Sequence, residues 1–297
     1  MRRQTELLGS RARVKDRYAL IPLEGIPLSV LPEWPNARVQ VLAAPALGAE
    51  FAEYRIEVDA GTVAAHPADG EIEHFLFVLS GEVELGLESG AAEGGSPGAA
   101  AAAPSAAAPT DDAGARNAAA AYSLSDGGYA LVPPSTGYHL RATTASTLLL
   151  LRKRYEPPTA ADGAASQTPA ADRHPRAGAE FEPVIGHEAQ VKGEVYMGDE
   201  GALLQSLIPA DLSYDLAMNI FTFETGHSLP VTETHVMEHG LYVLAGKGLY
   251  YLDDTWMEVE ATDFIWMGPF CPQSYYATGP TPTRYIYYKN INRDVAL

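Results

Sequence analysis

The chain has a single cysteine, Cys271, among 297 residues. One thiol closes no disulfide within the chain, so nothing in the sequence calls for an oxidising compartment. Positive charge is scarce: 20 Lys and Arg stand against 38 Asp and Glu, a formal net charge of −18. A surface of that sign repels phosphate backbones, and no Lys/Arg stripe runs against the trend, which argues against nucleic acid as a partner. The acidity itself needs no explanation beyond solubility. No apolar run is long enough to span a bilayer. The basic start MRRQTELLGSRARVKDRYAL lacks the apolar stretch of a secretory signal. The expectation is a soluble, cytoplasmic protein with no membrane partner. Helical periodicity is missing as well.

What the chain does contain is short apolar runs punctuated by Gly, Pro and Asp: FLFVLSG, VELGL, YALVPP and TLLLLR, then GLYVLAG, GLYYLDD, WMEVEA, FIWMGP and RYIYYK. This is an all-β pattern of hairpins. The halves repeat each other. EHFLFVLSGEVEL from Glu73 lies over EHGLYVLAGKGLY from Glu238 at an offset of 165, and Gly61 and Gly81 lie over Gly226 and Gly246 at the same offset. Further along, Tyr129 lies over Phe264 at an offset of 135. The missing length falls on an Ala-, Gly-, Pro- and Ser-rich run at about 90–120, which lacks large apolar residues and reads as an insertion in an exposed hairpin loop. A second such run, 157–178, reads as a linker. The expected layout is two jelly-roll β-barrels in tandem, residues 1–156 and 179–297, as a pseudo-symmetric pair.

The second copy carries the chemistry. In G226-HSLPVT-E233-T-H235-VME-H239, Glu233 and His235 project from one face of an extended chain, and His239 opens the next strand. Gln273 follows Pro272, which favours an extended approach back towards them. One carboxylate, two imidazoles and one amide oxygen suit Mn²⁺ or Fe²⁺ and tolerate Zn²⁺, and the oxygen content favours manganese, one ion per chain. An isolated strand histidine is usually only a strand histidine; three ligand types bracketed by turn glycines are a stronger signal. In the first copy, the offset of 165 sets Ala68 against Glu233, Gly70 against His235 and His74 against His239, while Tyr138 or His139 stands where Gln273 does. That copy is expected to be structural. Trp256, Trp266 and the tyrosines from Tyr242 to Tyr251 are expected in the core, and Cys271 as a buried small residue.

These motifs resemble the cupin superfamily, with the ligand order changed to Glu, His, His, Gln. That permutation, with ETHVMEHGLYVLAGKGLYYLDDTW, the CPQSYYATG turn and the ending RYIYYKNINRD, is similar to the (S)-ureidoglycine aminohydrolases. The likeness runs from about Arg17 to the C-terminus, apart from the insertion and linker. It implies a bicupin, a homo-oligomer, and a Mn²⁺-dependent hydrolase of purine-ring (allantoin) catabolism that acts on a small ureide. It implies Glu233, His235, His239 and Gln273 as metal ligands, and Glu233, Gln273, Tyr285 and Lys289 as substrate contacts. Plant relatives carry an endoplasmic-reticulum signal that is not seen here. By alternation Tyr285, Tyr287 and Lys289 share one face of the last strand, where Lys289 is as open to snorkelling into water as to pairing with a carboxylate or moving a proton. The resemblance favours the functional role and implies Lys289, Glu233 and Tyr285 as the catalytic set. A cupin dioxygenase or decarboxylase with an Fe or Mn centre, and a non-enzymatic ligand-binding bicupin, use the same scaffold and stay open at this point.

Overall fold

The computed structural model describes residues 11–88, 120–159 and 181–293. The expected loop insertion up to residue 119 and most of the expected linker lie outside the described residues. Every apolar run named above forms a strand, and the strands assemble into four antiparallel sheets of eight, seven, four and three strands. The seven-stranded sheet faces the four-stranded one across a core that includes Leu76, Val78, Leu85, Leu140, Leu148 and Leu150. The eight-stranded sheet faces the three-stranded one across a core that includes Leu241, Val243, Tyr250, Ile265, Tyr275 and Tyr285. Each pair is one jelly-roll barrel.

A third core joins the barrels, and it draws on the same strands. On Ile72–Ser80, Phe75 and Phe77 face the partner barrel while Leu76 and Val78 face inward. On Phe264–Met267, Phe264 and Trp266 face across and Ile265 and Met267 face in. Both faces of the large sheets are therefore buried. That is why these strands read as continuous apolar runs rather than as alternating ones. Gly81 and Gly246 sit at φ 94° and 79° in the matching hairpins, where a Cβ would lie 2.5 Å from the Ala145 carbonyl and 2.6 Å from the Pro282 carbonyl respectively.

Sheet membership crosses the boundary drawn from the sequence. Tyr18–Ile21, near the start of the chain, pairs with Phe264–Met267 in the second barrel. Val184–His187, beyond the linker, pairs with Gly128–Leu131 in the first. The eight-stranded sheet is thus extended by two strands from the first half, Arg13–Val14 and Tyr18–Ile21, and the seven-stranded sheet by one from the second, pairings that composition does not reveal. Trp256 also departs from expectation. It is 50% exposed and packs at 5.3 Å against Tyr251, whereas Trp266, Tyr242, Tyr250 and Cys271 are buried.

The interface between barrels is rich in buried acid. Lys153 of the first barrel is ion-paired with Asp215 of the second and lies 3.8 Å from Glu73. Glu238 accepts from the backbone N–H of Glu50 at 3.1 Å and from the Trp266 indole N–H at 3.2 Å. Glu53 has an oxygen with no partner, and burial pushes its carboxyl up to about 8, while burial pushes Glu238 up to about 7. A carboxyl raised in the folded state stabilises fully below its unfolded pKa and loses that contribution as pH rises through the folded value. Stability should therefore fall between about pH 4.5 and pH 8. Glu53→Gln removes this dependence at one site. Its melting temperature should match wild type at pH 5 and exceed it by several degrees at pH 8.5, for a stabilisation on the order of a few kcal/mol. Equal melting temperatures at both pH values would refute the assignment.

Candidate functional site

His239 opens the strand His239–Ala245, with the parity of Leu241 and Val243, so it points into the second barrel while Glu238 points to the interface. Gln273 begins the strand Gln273–Ala277 directly after Pro272. Glu233 is held opposite it by a two-way backbone pair, with N···O distances of 2.8 and 2.9 Å. Lys289 lies across from His239 on the final strand. These residues, with His235, Tyr285 and Tyr287, line one cavity of about 460 Å³. All the residues expected to form the site are thus brought to the same place.

The imidazoles have a defined tautomer. His235 Nδ1 lies 3.2 Å from the Met237 carbonyl, and His239 Nδ1 lies 3.1 Å from the Tyr288 carbonyl. A carbonyl can only accept, so each Nδ1 carries the proton and each Nε2 is left with a lone pair. Burial holds both rings below the usual histidine pKa, followed by Lys289 for His235 and by His235 and Lys289 for His239. The two Nε2 atoms are nevertheless only 3.2 Å apart, with no proton between them. Gln273 completes the cluster, its amide nitrogen 3.2 Å from His235 Nε2 and 3.0 Å from His239 Nε2. As placed, the two N–H groups of the Gln273 amide face both lone pairs; with the amide turned over, its oxygen and the two Nε2 atoms would together present three donors to a cation.

Glu233 is the member that stands apart. Its Oε1 accepts from the Tyr196 hydroxyl at 2.7 Å. Among the described residues no three His, Cys, Asp or Glu side chains are gathered as one ligand group. Tyr250 donates to the Gln273 amide oxygen at 3.2 Å. A hydroxyl donates or accepts, so Tyr250 serves Gln273 in either orientation of its amide. Burial lowers the Lys289 ammonium from its ordinary pKa, with Glu233 opposing the shift. No carboxylate among the described residues forms an ion pair with it. Burial also raises Tyr285 and Tyr287, so both hydroxyls stay protonated at neutral pH.

The first barrel differs from its expected form. Its strand register pairs Tyr138 with His66, as Gln273 is bridged to Glu233. His66, not Ala68, therefore stands in the place of Glu233. A fixed offset missed it because the two copies differ in length between these strands. His66 stacks on Tyr138 at 4.6 Å and meets His74 edge-on at 5.2 Å. Their Nε2 atoms and the Tyr138 hydroxyl are buried without partners. Burial, then Arg152, lowers His66 to about 4; burial, then His66, lowers His74 to about 3. This cluster of neutral groups contains no carboxylate.

The registers also align the pocket walls. Tyr250, Tyr285, Tyr287 and Lys289 occupy the places of Leu85, Leu148, Leu150 and Arg152. Tyr196 and Tyr250, which hold Glu233 and Gln273, were not identified from the sequence. The signal available was this contrast of tyrosine with leucine between the copies.

No family model matches the chain. The Oryza sativa subsp. japonica protein named "Probable (S)-ureidoglycine aminohydrolase" is 32% identical over 288 residues, covering 96% of this chain and 76% of that one. The Escherichia coli (strain K12) protein named (S)-ureidoglycine aminohydrolase is 30% identical, covering 98% of this chain and 95% of that one. Among solved structures, the "Putative Glyoxylate Induced Protein" of Pseudomonas aeruginosa superposes with a TM-score of 0.74 at 31% identity, covering 98% and 94% of the two chains. Oxalate decarboxylase of Lactobacillus farciminis superposes with a TM-score of 0.63 at 11% identity over 96% and 89%, a likeness of fold alone.

Proposed function

The chain belongs to the (S)-ureidoglycine aminohydrolase family of bicupins and is a hydrolase, and on that premise we propose that it converts (S)-ureidoglycine and water into (S)-ureidoglycolate and ammonia. We further propose that it does so as a cytoplasmic homo-oligomer in purine-ring catabolism, with one Mn²⁺ per chain. The observation that carries the metal reading is the pair of proton-free Nε2 atoms 3.2 Å apart. Glu233, His235, His239 and Gln273 would hold the ion. Bound there, it would polarise the substrate and lower the pKa of a coordinated water.

The remaining work falls to the protein. The substrate bears a carboxylate, a ureido group and an amine on one carbon. Lys289 is a half-buried cation without a carboxylate partner, so a substrate carboxylate supplies what it lacks and fixes the orientation of that carbon. Glu233 and Gln273 contact the substrate from the metal side, and Tyr285 donates a hydrogen bond as a neutral hydroxyl. In the reaction the C–N bond to the amine breaks, a C–O bond to water forms, and the proton lost by water leaves with the amine as ammonia. On this reading Glu233 receives that proton and Lys289 delivers one to the departing nitrogen. The cavity of about 460 Å³ suits a substrate of this size.

Three outcomes are expected. Freshly generated (S)-ureidoglycine should release ammonia faster with enzyme and Mn²⁺, with no oxygen consumed. Oxygen uptake, or no acceleration, would reject the hydrolase chemistry in favour of the oxygenase alternative or none. Elemental analysis should find one metal per chain, lost in His239→Ala and kept in His74→Ala; loss in the latter would move metal to the first barrel. Lys289→Met should keep fold and metal but lower kcat roughly 10²–10⁴-fold. A rise in KM alone would assign Lys289 to carboxylate binding, and near-wild-type kinetics would remove it from the mechanism.

A further inference from the structure

We infer that Tyr196 is a positioning residue for Glu233, its hydroxyl fixing which carboxylate oxygen is held by the protein and which is free to act. The inference rests on the proposed function, in which Glu233 serves both metal and substrate.

The backbone of Glu233 is pinned by its two-way bridge to Gln273. Its side chain is held differently. Among the described residues the Tyr196 hydroxyl at 2.7 Å is the donor to Oε1, and none donates to Oε2. A carboxylate's two oxygens are interchangeable by rotation about its last bond. A hydrogen bond to a charged acceptor makes the carboxylate orientation that keeps it dominate by a factor of roughly ten or more. Holding Oε1 therefore leaves Oε2 as the oxygen available to the pocket.

Tyr196 is itself well fixed. It ends the short strand Glu194–Tyr196, just before a turn through Met197 (φ 49°) and Gly198 (φ 84°). Its neighbours Val195 and Met197 are exposed, while its ring turns inward and meets Phe221 edge-on at 4.9 Å. The contact with Phe221 needs the ring but not the hydroxyl.

The first barrel provides an internal control. Gln205 donates to the Glu188 and Val191 carbonyls, and Gln40 donates in the same way to the Leu23 and Ile26 carbonyls, 165 residues earlier. At that offset Tyr196 corresponds to Leu31, which packs against the apolar core of the first barrel. There the carboxylate's place is taken by His66. The copy without the carboxylate has no hydroxyl to hold it, so the hydroxyl and the carboxylate occur together.

Tyr196→Phe keeps the ring and removes only the donor. Mn²⁺ binding, read from loss of the free-ion electron paramagnetic resonance signal, should weaken roughly tenfold to a hundredfold. At saturating Mn²⁺, kcat should fall by a similar factor with KM little changed and the melting temperature unaltered. In a Glu233→Ala background the same substitution should change nothing further, because the partner it acts through is gone. Wild-type-like Mn²⁺ binding and kcat in Tyr196→Phe would overturn the inference, as would an undiminished loss in the Glu233→Ala background. Wild-type enzyme that neither binds Mn²⁺ nor releases ammonia would instead overturn the proposed function, and this inference with it.

Discussion

Burial of both faces of the two large sheets is the constraint on which the rest of this molecule depends. Successive side chains on a strand point to opposite sides, so each residue here is committed to one of two interiors. Glu238 and His239 show the consequence most sharply. One step along the chain separates a carboxylate bonded to Trp266 at the barrel interface from an imidazole in the cavity of the second barrel. A one-residue slip would exchange them, placing a carboxyl among the tyrosines and an imidazole between the barrels. The extended apolar contact between barrels thus fixes the register that aims His239, Tyr285, Tyr287 and Lys289 inward.

The same constraint accounts for the unusual ionisable groups. Polar residues on these strands have no solvent face to retreat to. At the interface, Glu53, Glu73 and Asp215 each have an oxygen with no partner, and the buried Lys153 ammonium is shared by Asp215 and Glu73. In the cavity, burial drives the histidines towards neutrality and the tyrosines towards permanent protonation. The effect is costly at the interface and useful in the cavity. Neutral imidazoles have lone pairs to offer, and protonated phenols have hydrogen bonds to donate.

The two barrels share one frame and differ in what they put inside it. Corresponding places hold Glu233 and His66, Gln273 and Tyr138, Tyr285 and Leu148, Tyr287 and Leu150, and Lys289 and Arg152. The second set combines a carboxylate, an amide and paired lone pairs with hydroxyls that orient them. The first set retains two imidazoles, but its walls are leucine and it lacks an inward carboxylate. The barrels differ by this exchange of lining residues, because the backbone that presents them is repeated.

Much of this was legible in the chain. Strand-length apolar runs, turn glycines and the repeat led to two β-barrels, and the spacing of Glu233, His235 and His239 with the alternation of Tyr285, Tyr287 and Lys289 led to the cavity. These features are local: a period of two and a glycine at a positive φ are properties of a few consecutive residues. What tertiary structure alone decided depends on residues far apart in the chain. The strands Tyr18–Ile21 and Val184–His187 were traded between barrels, because pairing is chosen by whichever edge is open and not by proximity in sequence. His66 took the place that a fixed offset had given to Ala68, because loops change length while strand register does not. Trp256 came to the surface and Tyr196 came to Glu233 for the same reason: which face of a strand meets another element is set only when the sheets close on each other.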